Sequence, residues 1–431
     1  MMKVTCISPY YHNIWEALGW GYIYSYCSRH YKGKLDIQFF HGNFDTEASI
    51  LMEAKKSDIV AFSCTTPTYK WCKNMAGWIK ALNEKTHIVL GGWHPTVLKE
   101  IEPNIDQIVI GEGETAFLEI LNGNRNKIVY GRRLPFSELP WPDREFIKYN
   151  RQVDWCEATF KERIASIQSV RGCKMGCAMC GEKFMTGKHD VKHNPIRVRL
   201  AEDTVSEIQF LIEKFRIQRF KFVDPTWSIS ESYVESFCKE KIARNITVPW
   251  DAMVHAGIAT EKSIEWMSKA NCDVIMVGCE SGNQSLLNDM KKGVTVDKIK
   301  RVFEWGRKYK LNRRAFFMIG MPNETMDTIR DTMDLISEID PDVLGFTILA
   351  PYPGSDFYDK KRFKDVDWSK VDEYTNDIWS TKNFTNKQLK DIQKLLCLIY
   401  KDKLPWHQRF LMTGNEDVIK DEKWTHLLQR S

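Results

Sequence analysis

The chain has 431 residues, of which 43% are hydrophobic and 28% charged, the composition of an ordinary globular protein with two or three domains. Lysine and arginine exceed the acids by 62 to 57, a surplus too small to indicate nucleic-acid binding. The sequence has no apolar run of ~18 residues and no signal-peptide pattern at its start, so we expect a cytoplasmic protein without a membrane partner.

Strand-like and helix-like patterns alternate over the first part of the chain. The strand-like runs are KVTCIS, KLDIQFF, DIVAFSC, THIVLGG and QIVIGEG, and helical periodicity marks segments such as IWEALGWGYIYSYCSRHY and YKWCKNMAGWIKALNEK. This alternation predicts an α/β domain over residues 1–130, a Rossmann-like doubly wound parallel sheet with helices on both faces. Ligands of such sheets lie beyond the carboxyl ends of the strands, where the loops SCTTPT, GGWHPT and GEGE fall.

The pattern breaks and then resumes. Residues 131–160 include GRRLPFSELPWPDREF, with three prolines and no clear periodicity, which predicts a linker. Six further strand-like runs, from ASIQSV to LGFTILA, alternate with helices and predict a partial (β/α)6 TIM barrel over residues 161–358. Residues 359–431 are predicted to be a helical C-terminal region, with NKQLKDIQKLLCLIYKDKL as its clearest amphipathic helix.

Three of the twelve cysteines lie close together in SVRGCKMGCAMCGEKF, and the other nine are scattered as buried thiols would be. Cys173, Cys177 and Cys180 have the spacing C-x3-C-x2-C and follow the first barrel strand, at the end where barrel enzymes have their sites. Structural zinc sites use four ligands, so a Cys3His site completed by His189 or His193, in a zinc-stapled binding module, stays an alternative. Thiolates also hold iron–sulfur clusters, and three of them leave one iron of a 4Fe–4S cluster free for a small ligand.

With this cysteine spacing the chain resembles the radical S-adenosylmethionine (SAM) enzymes. The resemblance continues in the segments IRVRLAEDTVSEIQFLIEKFRIQRFKFVDP, VIMVGCESGNQSLLNDMKKGVT, FFMIGMPNET and ILAPYPGSDFYD, which are similar to the family's second, fourth, fifth and sixth strand units. The GEGE loop is similar to that of the cobalamin-binding domain that precedes the barrel in one large subgroup. The resemblance implies a 4Fe–4S cluster, SAM and cobalamin as cofactors, and an electron donor such as flavodoxin or ferredoxin as a partner.

The resemblance also implies roles for individual residues. The three cysteines would hold the cluster, and Met179 stands where the family often has an aromatic residue facing the adenine of SAM. Glu280, in a G-x-E-S-G turn, is expected to contact the SAM ribose or amino group, with a carboxylate stabilised by a helix dipole as the alternative. Asp224 takes the place of the family's glycine–glycine–acid turn, and Arg199 either pairs with the SAM carboxylate or is an exposed strand arginine.

The prediction of cobalamin binding depends on the strand-end loops of the first domain. Many cobalamin domains place a histidine on cobalt from a D-x-H-x-x-G loop, but the corresponding YYHNIW keeps only His12, so we expect cobalamin without this ligand. The remaining loops offer hydroxyl groups and glycines that leave room for a bulky ligand, and a domain that has lost its cofactor stays the alternative. The residues expected to bind cobalamin are Ser63, Thr65, Thr66, Gly91, Gly92, Gly111, Glu112 and Gly113.

Together these features predict a cobalamin-dependent radical SAM methyltransferase that moves a methyl group from SAM, through cobalamin, to an unactivated carbon or phosphorus of its substrate. The alternative is a radical rearrangement or ring-forming enzyme that transfers no methyl group. The substrate class stays open between a peptide, a nucleoside and another small metabolite, and the aromatic residues Trp227 and Trp250 either face it or pack inside the barrel. Methyl transfer requires that both sets of loops open into one cavity between the domains.

Overall fold

The structure is a computed structural model that describes residues 1–12, 14–185, 196–372, 374 and 376–405. In this part of the chain the backbone forms two six-stranded parallel sheets and one two-stranded ribbon. None of the helices described here combines the length and the apolar character that crossing a membrane would require.

The first sheet belongs to a domain in which strands and helices alternate. These elements are β1 Met2–Ser8, α1 Leu18–His30, β2 Leu35–His41, α2 Glu47–Ala54, β3 Ile59–Ser63, α3 Tyr69–Leu82, β4 His87–Gly91, α4 Trp93–Leu98, β5 Gln107–Ile110, α5 Gly113–Leu121 and β6 Ile128–Tyr130. The strand order is β2-β1-β3-β4-β5-β6, with α1 and α5 packed on one face and α2 and α3 on the other. The predicted doubly wound sheet is confirmed, and the order reverses between β1 and β3, where such sheets bind their ligands.

The second sheet has six parallel strands in the order β14-β13-β12-β11-β10-β7, the open arrangement of a partial barrel. The elements of this part are α6 Tyr149–Phe160, β7 Ile164–Ile167, β8 Val170–Arg171, α7 Glu182–Met185, β9 Arg197–Val198, α8 Ala201–Phe215, β10 Arg219–Phe222, α9 Glu231–Ala243, β11 Trp250–Val254, α10 Glu261–Lys269, β12 Cys272–Glu280, α11 Gln284–Asp289, α12 Val296–Lys308, β13 Asn312–Ile319, α13 Met326–Ile339, β14 Val343–Ile348 and α14 Asn386–Ile399. Every predicted barrel strand overlaps an observed one. The sequence pattern therefore predicted this sheet correctly.

The segments flanking the barrel differ from the predictions in detail. The last twelve residues of the predicted linker form α6, whose buried side chains, such as Val153, join the main hydrophobic core. In the C-terminal region, the described residues before α14 contain turns and one short 3-10 helix, Trp368–Lys370. Helix α14 begins with a capping box at Thr385 and confirms the predicted amphipathic helix, while residues 406–431 lie outside the described part.

One continuous hydrophobic core joins the two domains, because the face of the first sheet that carries α1 and α5 packs into the same cluster as the barrel strands. Buried ion pairs tie the domains together at this junction. Arg144 contacts Glu16 of the first domain and binds Glu207 of the barrel at 2.8 Å, and Glu16 accepts the Ser166 N–H at 2.9 Å. The domains are therefore packed against each other.

This packing selects one of the two alternatives for Trp227 and Trp250 and departs from both alternatives for Arg199. Trp227 and Trp250 are fully buried, with ring centroids 4.8 Å apart, and pack with Phe222 of β10 against Phe237 of helix α9. Arg199 is neither exposed nor open to a SAM carboxylate, because it is buried and paired with side chains of α8 that follow it in the chain.

Candidate functional site

A cavity lies between the domains, at the carboxyl ends of the strands of the first sheet. Its first chamber has a volume of about 490 Å³, and its second chamber, of about 860 Å³, adjoins it and shares Trp15, Trp20, Ser63 and Trp93 with it. From the cysteine loop, Met179 and Gly181 line the first chamber, and Gly172 and Glu182 line the second. The loops that were predicted to bind the two cofactors therefore face one shared space, as the prediction required.

The cysteine loop follows β8 and is held by main-chain hydrogen bonds. The Met175 N–H donates to the Cys173 sulfur at 3.4 Å, and the Glu182 N–H donates to the Cys180 sulfur at the same distance. Ala178, between the cysteines, donates its N–H to the carbonyl of Met290 at 2.8 Å. The two N–H groups that donate to sulfur would stabilise the thiolate form that a bound metal requires.

The electrostatic surroundings of the thiols depend on burial and on one lysine. Burial raises the pKa of the Cys177 thiol, and the ammonium of Lys292 only partly offsets this effect. Burial also raises the pKa of Cys180 to about 11. Because metal ligands must be deprotonated, binding of iron here would release protons and convert neutral thiols into thiolates whose charge the metal neutralises.

All three cysteines are free thiols. Within the described residues, no group of three or more His, Cys, Asp or Glu side chains is arranged to hold a metal ion. In a 4Fe–4S cluster each cysteine binds a different iron, so its ligands need not converge on one point as the four ligands of zinc must. His189 and His193, the predicted alternative zinc ligands, lie outside the described residues.

The first domain touches the cysteine loop directly through the GGWHPT loop. A side chain at Gly181 would come within 2.7 Å of the Trp93 ring, so only glycine permits this close approach. Met179, on the same loop, is partly buried and lines the first chamber, where it was predicted to face the adenine of SAM. Met179 thus lies at the wall of the shared cavity, and its contact with the adenine stays a prediction.

Glu280 ends β12 in an unusual backbone conformation. Its φ of 63° lies in the left-handed region, beside a register shift between β12 and β13. The carboxylate pairs with Lys292 at 2.7 Å, and both side chains are largely buried. Burial opposes the charge of Lys292, but Glu280 and Cys177 outweigh it and raise the pKa of the ammonium. A strained acidic residue beside a buried cation and a cluster thiol is typical of a functional position rather than of a simple helix cap.

Asp224 is buried and does not line either chamber of the cavity. It is 2% exposed, and its two carboxylate oxygens accept hydrogen bonds from Ser169, from the N–H at 2.9 Å and from the hydroxyl at 2.7 Å. Tyr233 donates in turn to the Ser169 hydroxyl at 2.6 Å. This network fixes the end of β7 just before the cysteine loop, so in this geometry Asp224 supports the loop, and the predicted SAM contact stays a prediction.

Burial raises the pKa of Asp224 from 3.8 to about 7, which gives a testable pH dependence. The folded protein keeps this proton at pH values where the unfolded chain has lost it, so this contribution to stability is present below about pH 4 and is lost as the pH rises toward 7. Asp224→Asn cannot ionise. Between pH 5 and pH 7 the melting temperature of the wild type should fall relative to that of the variant by about 1–2 °C per pH unit. A difference that does not change with pH would contradict the buried, protonated carboxyl group.

The residues predicted to bind cobalamin line the cavity in large part. Both chambers contain Ser63 and Thr65, the first also contains Thr66, and the second contains the glycines of the GGWHPT and GEGE loops. Gly92 has a φ of 101°, and a side chain there would come within 2.6 Å of the Cys64 carbonyl oxygen. The turn itself therefore requires glycine at this position, in addition to any room that a ligand needs.

Glu112, in the GEGE loop, uses its carboxylate for the barrel. The Arg171 guanidinium donates to it at 3.0 Å and the Arg197 guanidinium at 2.9 Å. Burial would raise the pKa of this carboxyl group, but the two arginines outweigh burial and hold the pKa below its usual value. The carboxylate is thus committed to protein partners, while the backbone of its loop still lines the second chamber.

His12 is half exposed and lies 3.4 Å from the carboxylate of Asp372, so the structure gives it a protein partner. We expect cobalamin to bind with its nucleotide tail displaced and with no histidine on cobalt. The electron paramagnetic resonance spectrum of the Co(II) form should lack axial nitrogen splitting, and His12→Ala should bind cobalamin as tightly as the wild type. Nitrogen splitting that disappears in the variant would contradict this expectation.

Several residues of the cavity were missed by the sequence analysis. Trp15, His41, Trp93 and Tyr352 all line the first chamber. Trp15, Trp93 and Tyr352 fall in segments that had been singled out, but an aromatic side chain in such a loop is as typical of packing as of a binding site. For His41 the sequence carries no such signal, because its position depends on how the loops meet.

Comparison with family models identifies both domains. The model of the radical SAM superfamily matches residues 167–336, and that of the B12 binding domain matches residues 8–121. The first match begins at the last residue of β7 and covers the cysteine loop and the barrel strands from β10 to β13. The second begins at the last residue of β1 and covers β2 to β5 with the three strand-end loops.

The chain is also similar to individual proteins. It is 25% identical to an uncharacterized methyltransferase of Pyrococcus horikoshii, over 80% of this chain and 78% of that protein. It is 25% identical to the anaerobic magnesium-protoporphyrin IX monomethyl ester cyclase of Rubrivivax gelatinosus, over 83% of this chain and 69% of that protein. Its fold is similar to that of the radical SAM methyltransferase TsrM of Kitasatospora setae with cobalamin and a 4Fe–4S cluster bound, with a TM-score of 0.66 at 16% identity, over 83% of this chain and 74% of that one.

These matches fit the geometry of the site. The cysteine triplet, the strained glutamate at the end of β12 and the strand-end loops of the first sheet all fall inside the matched regions. The chain therefore combines a radical SAM domain with a B12-binding domain, and its cofactors are a 4Fe–4S cluster, SAM and cobalamin.

Proposed function

We propose that this enzyme is a cobalamin-dependent methyltransferase, which uses SAM both as the source of the methyl group and as the source of the radical. The observation that carries the proposal is the shared cavity, because loops of the cobalamin domain and the cysteine loop of the barrel line the same two chambers. Groups that act on one substrate must be held near it.

The residues present fit both cofactors. Cys173, Cys177 and Cys180 would hold the cluster, whose free iron would bind SAM, with Met179 beside the adenine and Glu280 at its ribose or amino group. Ser63, Thr65, Thr66 and the glycine loops would hold cobalamin, and the apolar wall of the second chamber suits a bulky group beside the sheet. When bound, the cluster supplies the electron that cleaves SAM, and cobalamin carries the methyl group.

The proposed reaction consumes two molecules of SAM and two electrons for each methyl group transferred. For each substrate C–H or P–H bond converted to a bond to methyl, one SAM loses its methyl group and becomes S-adenosylhomocysteine. A second SAM is cleaved to methionine and 5′-deoxyadenosine, which keeps the hydrogen atom removed from the substrate. Two electrons enter from an external donor, for which we propose a flavodoxin or a ferredoxin in the cytoplasm.

The walls of the first chamber support a substrate with an apolar ring or chain and few charges. Among the described residues that line it, aromatic side chains and hydroxyl groups predominate, and the acidic Glu16 is already paired with Arg144. Hydroxyl and amide groups such as those of Ser8 and Asn43 would orient the polar part of the substrate.

The test is an anaerobic incubation with methyl-labelled SAM, cobalamin and a strong reductant, across fractionated cell extracts, followed by mass spectrometry. Methyl transfer predicts a labelled product together with equal amounts of S-adenosylhomocysteine and 5′-deoxyadenosine. The likeness to a cyclase supports a second candidate, a ring-forming reaction without methyl transfer. That reaction predicts 5′-deoxyadenosine without S-adenosylhomocysteine, and this outcome would replace the proposal.

A further inference from the structure

The cysteine loop is closed at its base by a ribbon with an unfavourable charge pattern. Strands β8 and β9 pair antiparallel, and Arg171 lies directly opposite Arg197 in their register. Cys173, Cys177 and Cys180 all lie in the stretch of chain that this ribbon closes. Like charges directly opposite each other destabilise an antiparallel pair, so this two-residue ribbon needs an anion from elsewhere.

That anion comes from the other domain. Oε2 of Glu112 accepts from Arg171 at 3.0 Å and from Arg197 at 2.9 Å, and Arg197 also contacts the second oxygen. Glu114 binds Arg171 at 2.8 Å from the same turn of chain. The Arg197 guanidinium donates as well to the Leu134 carbonyl at 2.6 Å, which fixes its orientation.

These charged side chains are largely shielded from water, so the loss of one partner would destabilise the structure around the other. The exposed fractions of the side chains are 10% for Arg171, 12% for Glu112, 16% for Arg197 and 4% for Glu114. Removing one member of a buried ion pair leaves its partner charge without compensation. Without Glu112, the two guanidinium groups would stand opposite each other with only Glu114 left to bind one of them.

The same turn also lines the second chamber. Gly111, Glu112 and Gly113 form its wall on one side, and Arg171 and Arg197 form part of it on the other. A ligand in this chamber therefore contacts the loop that carries Glu112 and the ribbon that Glu112 closes. If a ligand orders the GEGE loop, closing the ribbon through Glu112 requires a smaller further loss of conformational entropy. The converse also holds, because coupling between two sites is reciprocal.

We propose that Glu112 is a positioning residue that closes the ribbon beneath the cysteine loop and thereby couples cobalamin binding to retention of the cluster. Cobalamin in the second chamber holds the GEGE loop against Arg171 and Arg197, and a closed ribbon holds the cysteine loop around its iron. The inference requires the two cofactors of the family and is independent of whether the reaction transfers a methyl group.

The test measures the rate at which a chelator removes iron from the anaerobically reconstituted protein, followed by loss of the cluster's absorption, with and without hydroxocobalamin. In the wild type, cobalamin should slow iron loss. In Glu112→Gln, iron loss without cobalamin should be faster by about tenfold or more, and cobalamin should no longer slow it. Glu119→Gln, an exposed glutamate of α5 whose only described partner is the Asn124 side chain, is the matched control and should behave as the wild type.

The double variant Glu112→Gln/Arg197→Gln separates this role from general damage to the fold. It removes the opposed charge and leaves Arg171 paired with Glu114, so slow iron loss should return. The protection by cobalamin should stay absent, because the link between loop and ribbon is cut. Melting temperatures and hydrogen exchange of the peptide over residues 168–185, in cluster-free protein, report whether the ribbon itself opens in the single variant and closes again in the double.

Three outcomes would overturn the proposal. Iron loss from Glu112→Gln at the wild-type rate would remove the positioning role. Failure of the second substitution to restore slow iron loss would mean that the repulsion between the arginines is not the cause. Protection by cobalamin that persists in the double variant would show that coupling does not pass through Glu112. If the single variant does not retain a cluster at all, the double variant alone decides between these results.

Discussion

Replacing Cys177 by alanine is expected to abolish both the 4Fe–4S cluster and the cleavage of SAM. Each cysteine binds a different iron, and the described surroundings of the loop offer no replacement thiol, because the other cysteines are buried elsewhere in the fold. Cluster content, measured as iron and as absorption near 400 nm, should fall by at least about tenfold. Formation of 5′-deoxyadenosine should fall below detection, and alanine at Cys173 or Cys180 should give the same result.

The matched control is Cys156→Ala, which removes a buried thiol from helix α6, outside the cysteine loop. This variant should lose only the small stabilisation that packing of one sulfur provides and should keep cluster and activity. A protein lacking all three loop cysteines that still held four irons and cleaved SAM would contradict the assignment of the cluster ligands.

A tryptophan at position 63 is expected to expel cobalamin while leaving the cluster in place. Ser63 ends β3, is exposed, and lines both chambers, so Ser63→Trp fills the cavity without disturbing the buried part of the sheet. We expect the affinity for cobalamin to fall by roughly 100-fold or more, because a rigid ring then occupies the space that the cofactor needs. Titration of cobalamin absorption measures this change.

Ser63→Ala separates the loss of space from the loss of a hydroxyl group. A single neutral hydrogen bond contributes about 1 kcal/mol, so alanine should weaken binding by no more than about tenfold. In both variants the iron content and the reductive cleavage of SAM should persist, because the cysteine loop is unchanged. If Ser63→Trp bound cobalamin as tightly as the wild type, the cofactor would have to lie outside this cavity.

The architecture was predictable from the sequence because each strand and helix has its own local pattern of apolar residues. The alternation of apolar strands such as β3 and β4 with amphipathic helices such as α3 carries the period of each element and its burial. The sixth strand of the first sheet, Ile128–Tyr130, was not predicted as a strand, because three residues are too few to show a period. Helix α6 was missed because it follows a proline-rich segment and its apolar positions are sparse.

The site residues were predictable where they form a short local motif. They were not predictable where they depend on contacts between segments that lie far apart in the sequence. The three cysteines are defined by their spacing, and Met179 lies among them. Arg199 was expected either to pair with the SAM carboxylate or to be an exposed strand arginine, but it is buried and forms ion pairs with Asp203 and Glu207. The ion pairs of Glu112 could not be predicted either, because the two arginines that it binds lie 59 and 85 positions away in the chain.

The most direct test of the central claim is a crystal structure of the anaerobic enzyme with cobalamin and SAM bound. Methyl transfer through cobalamin requires that both cofactors face one substrate in the cavity between the domains. We therefore expect cobalt within roughly 10 Å of the SAM sulfur, with Ser63, Thr65 and the GEGE loop against cobalamin. A structure in which cobalamin binds away from this cavity, with cobalt facing neither chamber, would contradict the account of methyl transfer.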